Sequence, residues 1–233
     1  MNKRYFELDF LRGFATLLMI IFHFSYDLAY FGYADYQTTV DFEWRAFRSL
    51  ILSTFLLVLG MSIYAAYSHS IDWKKVFKRS VKLFIISLII SIGSYIVFEH
   101  SWIYFGVIHF ILVASLFSLA FLRWPNLALF IGIGFLLTYY LGYFHFDPVL
   151  GVFIQNFGFP SHTEDVVSFT PWFGIVLIGI FLMHHQLFSF KVKEIRFTKS
   201  ISRVGQHSLM IYLIHQPIFF GVFELISWIR RTV

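Results

Sequence analysis

A chain of 233 residues that is 58% hydrophobic and only 13% charged, with a mean hydropathy of +0.73, has about half the charge of a soluble domain and falls outside that class. Its long apolar runs predict an all-α, polytopic integral membrane protein, because in lipid the backbone must satisfy its own hydrogen bonds. The lack of cysteine excludes disulfides and thiolate-bound metal centres, and the net charge of +5 gives no reason to expect nucleic acid, since the basic residues gather in particular loops.

Seven spans are expected, at about 10–31, 47–67, 80–98, 103–122, 126–144, 171–190 and 207–227, forming a single transmembrane domain over 1–233. Glu7, Asp9 and Arg12 interrupt the start of the first apolar run, which reads as a retained helix rather than a cleaved signal. With the N-terminus inside, thirteen of the 18 Lys and Arg residues fall in inner segments, among them Lys3, Arg4, Lys74 and Lys75, against four in outer segments. That asymmetry predicts loops 68–79 and 191–206 inside, and 32–46, 99–102 and 145–170 outside. The C-terminus then lies outside, although Arg230 and Arg231 oppose this mildly.

The first span has the densest chemistry. At about 100° per residue, Arg12, Thr16, His23 and Asp27 fall on one stripe, with Asp9 just before it. Ionisable groups in a membrane helix are costly and mark a pathway or a site. Taken alone, Arg12 reads as snorkelling to the interface, and His23 and Asp27 as satisfying each other. The aligned set favours function.

Further along, His109 enters the fourth span and reads equally as a satisfied core histidine or a catalytic one. The second span carries Ser53, Thr54 and Gly60, small residues suited to close helix packing. The outer loop 145–170 holds His145, Asp147, Asn156, His162, Glu164 and Asp165, and loops of that length are often functional. Trp172 opens the sixth span as an anchor or a contact to substrate, and His184 and His185 close it near the inner interface. In the last span Pro217 predicts a kink, leaving His215 and Gln216 either to satisfy the broken backbone or to do chemistry. No metal signature, phosphate loop or nucleophile elbow is present.

The stretch from Glu7 to Leu28, the block Phe105-Gly106-Val107-Ile108-His109, Pro171-Trp172, and the closing Gly205, Ser208, Tyr212, His215 and Pro217 resemble, in order, the bacterial heparan-alpha-glucosaminide N-acetyltransferase catalytic-domain family. The Arg-x10-His spacing and the terminal Tyr-Leu-x-His-x-Pro also resemble the acyltransferase-3 membrane O-acyltransferases. The chain has fewer expected spans than the lysosomal enzyme and the O-acyltransferases, and it has His23 where the lysosomal enzyme's motif resembles Asn.

The resemblance implies an enzyme of the bacterial inner membrane. It would move an acetyl or other acyl group from cytosolic acyl-CoA to a sugar amine or hydroxyl at the outer face, with membrane lipids, acyl-CoA and a glycan or small amine as partners and a homo-oligomer as one possible assembly. In that reading Arg12, Asp9, Thr16, Lys74 and Lys75 hold the acyl-CoA, and Trp172 and Asp165 meet the acceptor. His23 is the general base, Asp27 sets its tautomer, and His109 or His215 stabilises the oxyanion or relays the proton. Direct transfer and an acyl-histidine route both remain open. A proton-coupled transporter of small solutes would use the same intramembrane Arg, His and Asp, but no inverted repeat is visible.

Overall fold

The computed structural model describes residues 5–143, 151, 154, 156–187 and 191–232. Lys3, Arg4, His145 and Asp147, singled out in the sequence, lie outside the described residues. Every element named here is helical: α1 Phe6–Tyr30, α2 Phe42–Tyr67, α3 Trp73–Val97, α4 Val107–Ser118 with a 3-10 turn Leu119–Phe121, α5 Pro125–Tyr140, α6 Phe169–His184, α7 Arg196–Gln206 and α8 Ser208–Thr232. Each of the seven apolar segments contains one of these helices. Four of them, α1, α2, α3 and α8, are long and apolar enough to cross a membrane, whereas α4, α5 and α6 are shorter apolar helices.

Several boundaries differ from expectation. Helix α2 starts five residues early, at Phe42 rather than about 47. Helix α3 starts at Trp73 because Asp72 caps it, its carboxylate accepting from the Lys75 backbone N–H at 3.1 Å and pairing with the Lys75 ammonium at 3.1 Å. Those contacts hold the Asp72 carboxyl below the usual carboxylate range, the backbone hydrogen bond first. Lys74 and Lys75 therefore lie in the first turn of α3, not in a loop. Helix α8 continues through Pro217 as one element.

The chain forms two compact units, and α2 contributes to both. One comprises Lys3–Phe55 and Phe190–Val233. Its core joins Met19 and Phe22 of α1 to Ile51 of α2, with Trp44, Phe47, Phe55 and Tyr212 packed around them. Helix α7 lies against α1 with backbones in contact: a Cβ on Gly13 would collide with the Ile201 carbonyl, and one on Gly205 with the Asp9 carbonyl. Ile201 and Gly205 are buried there, while Arg196, Lys199 and Arg203 on the opposite face are exposed.

The other unit comprises Leu56–Ser189 with Met1–Asn2. Two glycine pairs set its helix crossings, as small residues do in lipid. Gly60 of α2 meets α6 at Val176 and Gly179, which is the close packing expected of that segment, and Gly132 of α5 meets Gly174 of α6. The segment 161–167 laces along 101–107: Ser101 Oγ donates to Glu164 Oε1 at 2.6 Å, Thr163 Oγ1 donates to the Trp102 carbonyl at 2.8 Å, and the Val167 N–H donates to the Phe105 carbonyl at 3.2 Å.

Candidate acyl-transfer site

The polar stripe of α1 faces protein, not lipid. Asp9, Thr16 and Asp27 are all buried, and His23 is half-buried, while Phe14, Ile21 and Phe24 are exposed around the rest of the helix. At the near end, Arg12 pairs with Asp9 at 2.9 Å across one turn. Thr16 donates its hydroxyl to the Arg12 carbonyl at 2.7 Å, so its side chain is used within the helix.

At the far end α1 meets α8. The His23 and His215 rings stand edge to face with centroids 4.8 Å apart. His23 Nδ1 lies 2.9 Å from the Met19 carbonyl oxygen. His215 Nδ1 lies 2.9 Å from that of Tyr212 and 3.1 Å from that of Ile211. A carbonyl oxygen only accepts, so on both rings Nδ1 holds a proton and Nε2 is the nitrogen that gains or loses one. His215 Nε2 is buried with no partner among the described residues. The Ile211 and Tyr212 carbonyls are not the Leu213 carbonyl that Pro217 leaves without an N–H, so His215 does not satisfy the backbone broken by the proline.

Asp27 is not bonded to His23. Its Oδ1 accepts from Gln216 Nε2 at 2.7 Å, and its Oδ2 has no hydrogen-bond partner among the described residues. The expectation that Asp27 sets the His23 tautomer is corrected: the Met19 carbonyl sits one turn back on the same helix and takes the Nδ1 proton first. Gln216, for which the sequence left backbone satisfaction and chemistry open, ties α8 to α1.

His109 belongs to the other unit, and both of its ring nitrogens are engaged there. Its Nδ1 accepts from the Gly106 N–H at 3.3 Å. Its Nε2 lies 3.0 Å from Ser91 Oγ, and that hydroxyl already donates to the Ile103 carbonyl at 2.8 Å, so Nε2 is the donor to it. Asp165 Oδ2 accepts from the Val107 N–H at 3.0 Å. Both residues thus serve the N-terminus of α4, where free N–H groups and the helix dipole favour an acceptor and a negative charge. Trp172 is half-buried, in the first turns of α6. Tyr64 and Asn126 hydrogen-bond His184 and His185 respectively. Among the described residues, no three His, Asp or Glu side chains group as a metal site.

The arrangement in α1 and α8 is two adjacent imidazoles with basic nitrogens available, beside a buried carboxylate. It is suited to taking a proton from a nucleophile and returning it to a leaving group. No curated protein and no solved structure matches the chain. The profile described as heparan-alpha-glucosaminide N-acetyltransferase, catalytic, matches residues 4–217, which takes in α1 to α7 and α8 as far as Pro217. The chain is an integral membrane protein of that acetyltransferase family.

Proposed function

We propose that the chain transfers an acetyl or other acyl group from cytosolic acyl-CoA to a sugar amine or hydroxyl at the outer face of a bacterial inner membrane. The observation that carries this reading is the His23–His215 pair, with each Nδ1 tied to a backbone carbonyl and each Nε2 left as a base. His23 Nε2 takes the acceptor's proton and returns it to the departing thiolate. His215 accepts from His23 when the imidazolium must share its charge. Asp27, one helical turn from His23, favours that charged state electrostatically.

Eleven residues at 1.5 Å each put Arg12 roughly 16 Å from His23 along α1, a span that an extended pantetheine arm bridges. Arg12, held by Asp9, receives the donor's phosphates in this reading. Lys74 and Lys75 lie on the cytoplasmic side and attract the polyanionic donor. We read α4, α5 and α6 as completing seven spans in one acyltransferase domain, with the N-terminus inside and the C-terminus outside.

The test is transfer of radiolabelled acetyl from acetyl-CoA to glucosamine by the purified full chain in lipid nanodiscs. Wild type is expected to transfer, and His23→Ala to lose about a hundredfold or more in rate. Undiminished transfer by His23→Ala overturns the base assignment. Solute flux in liposomes without acyl transfer would favour the carrier instead.

A further inference from the structure

Helix α7 has three unlike sides. At about 100° per residue, Ile201 and Gly205 fall on the side buried against α1, where a Cβ on Gly205 would meet the Asp9 carbonyl and one on Gly13 the Ile201 carbonyl. Arg196, Lys199 and Arg203, spaced three and four apart, fall on the opposite side and are exposed. Phe197 stands between those two sides and is 69% exposed. A buried face and a charged face are what any surface helix shows. A phenylalanine left out beside the charged face is not; it is costly in water and costs little against lipid.

The position of the helix brings it to lipid. Asp9 and Gly13 lie in the first two turns of α1, which is long and apolar enough to cross a membrane. The charges of Glu7, Asp9 and Arg12 mark that stretch as the end of the span. A helix packed backbone to backbone on it lies where the span leaves the hydrocarbon, at the level of the headgroups.

Charge completes the match. From 191 to 203 the chain carries Lys191, Lys193, Arg196, Lys199 and Arg203 against one acid, Glu194. Lys199 Nζ lies 3.5 Å from Glu194 Oε2, and among the described residues neither Arg196 nor Arg203 has a carboxylate partner. The three basic side chains, with Glu194 and Ser200, line a surface cavity of about 440 Å³, within the size range of small-ligand sites. Guanidinium forks, an ammonium and a hydroxyl are donors that suit a phosphodiester. Basic clusters on amphipathic helices beside a span draw anionic lipid in the same way.

We propose that α7 is a binding site for anionic phospholipid, with the lipid phosphodiester in the Arg196–Lys199–Arg203 cavity and Phe197 beside the acyl chains. A zwitterionic lipid brings a cation next to its phosphate, which the same three side chains repel, so the site selects headgroups with net negative charge. The site does not involve the His23–His215 pair and does not depend on the acyl-transfer reading.

The experiment is native mass spectrometry of the full chain released from nanodiscs made of phosphatidylglycerol and phosphatidylcholine in equal parts, with thermal melting in phosphatidylcholine alone run alongside. Wild type is expected to retain phosphatidylglycerol over phosphatidylcholine by about tenfold or more, since each basic residue near an anionic surface is worth roughly fivefold. Arg196→Gln, Lys199→Gln and Arg203→Gln together should abolish the preference, and Arg196→Lys with Arg203→Lys should keep most of it. Glu194→Gln removes the competing carboxylate and should raise retention. If the triple variant does not melt like wild type, Glu194→Gln decides: a rise supports the site, and unchanged or lower retention overturns it. Equal retention of the two lipids by wild type overturns it, as does an undiminished preference in a folded triple variant. Release of the bound phosphatidylglycerol by coenzyme A overturns it in favour of a soluble nucleotide, and a dimer that the triple variant alone loses overturns it in favour of a second copy of the chain.

Discussion

His23 and His215, 192 positions apart, bring their rings to 4.8 Å, and each spends its Nδ1 proton on a carbonyl of its own helix. Neither ring needs a side-chain partner to fix its tautomer. The helix backbone does it, and the reactive nitrogen of both rings is therefore the same one.

If the two rings share one proton as proposed, they act as a unit and their losses should not add. His23→Ala and His215→Ala are each expected to reduce acetyl transfer, and the double variant should be no slower than the slower single. Fully multiplicative losses would mean that the rings act at separate steps. For wild type the rate should rise with pH as imidazolium gives way to imidazole, then level off, and His23→Ala should lose that rise.

The Asp27–Gln216 contact makes a prediction about stability. Gln216→Leu removes the amide that donates to a fully buried carboxylate, a change that costs about 1–3 kcal/mol or more. Asp27→Asn keeps an amide able to bond with Gln216 and should cost less. Melting of the two variants in nanodiscs checks the order, and a Gln216→Leu protein as stable as wild type would show that the bond contributes nothing.

Much of this was legible in the sequence, and the exceptions have physical causes. The stripe of Arg12, Thr16, His23 and Asp27 follows from helical periodicity alone, and the structure buries Thr16 and Asp27 and half-buries Arg12 and His23. Hydropathy alone shows a loop at α7, because the charges at Arg196, Lys199 and Arg203 hide a short apolar face. Ile201 and Gly205, four apart and opposite those charges, were the available signal. The early start of α3 was missed because charged residues lower the hydropathy of its first turns, although Asp72 before Trp73 is a recognisable cap. No local pattern could pair Gln216 with Asp27, because contacts across 189 positions leave no periodic trace in one chain.

His109 yields the opposite prediction to His23. With one nitrogen accepting from Gly106 and the other donating to Ser91, it has no lone pair left for chemistry. His109→Ala should lower the melting temperature, by an amount consistent with losing two hydrogen bonds at about 1 kcal/mol each, and leave kcat close to wild type. A large fall in kcat with unchanged melting would return His109 to the reaction.

Topology is testable without background, because the chain has no cysteine of its own. The excess of basic residues in alternate loops predicts Ser70 inside and Ser161 outside, and both positions are exposed in the structure. Ser161→Cys in intact cells should react with a membrane-impermeant maleimide, and Ser70→Cys only after the membrane is opened. The result bears on mechanism as well as orientation. The proposed reaction needs Arg12, near the N-terminus of α1, on the side where acyl-CoA is made, and His23, about eleven residues on, nearer the side where the acceptor waits. If Ser70→Cys labels from outside while Ser161→Cys does not, the whole chain is inverted. Arg12 would then face away from the cytosolic donor, and its phosphate-binding role would have to be abandoned. If both label from outside, an even number of crossings lies between them, and one of the short helices α4 and α5 does not span.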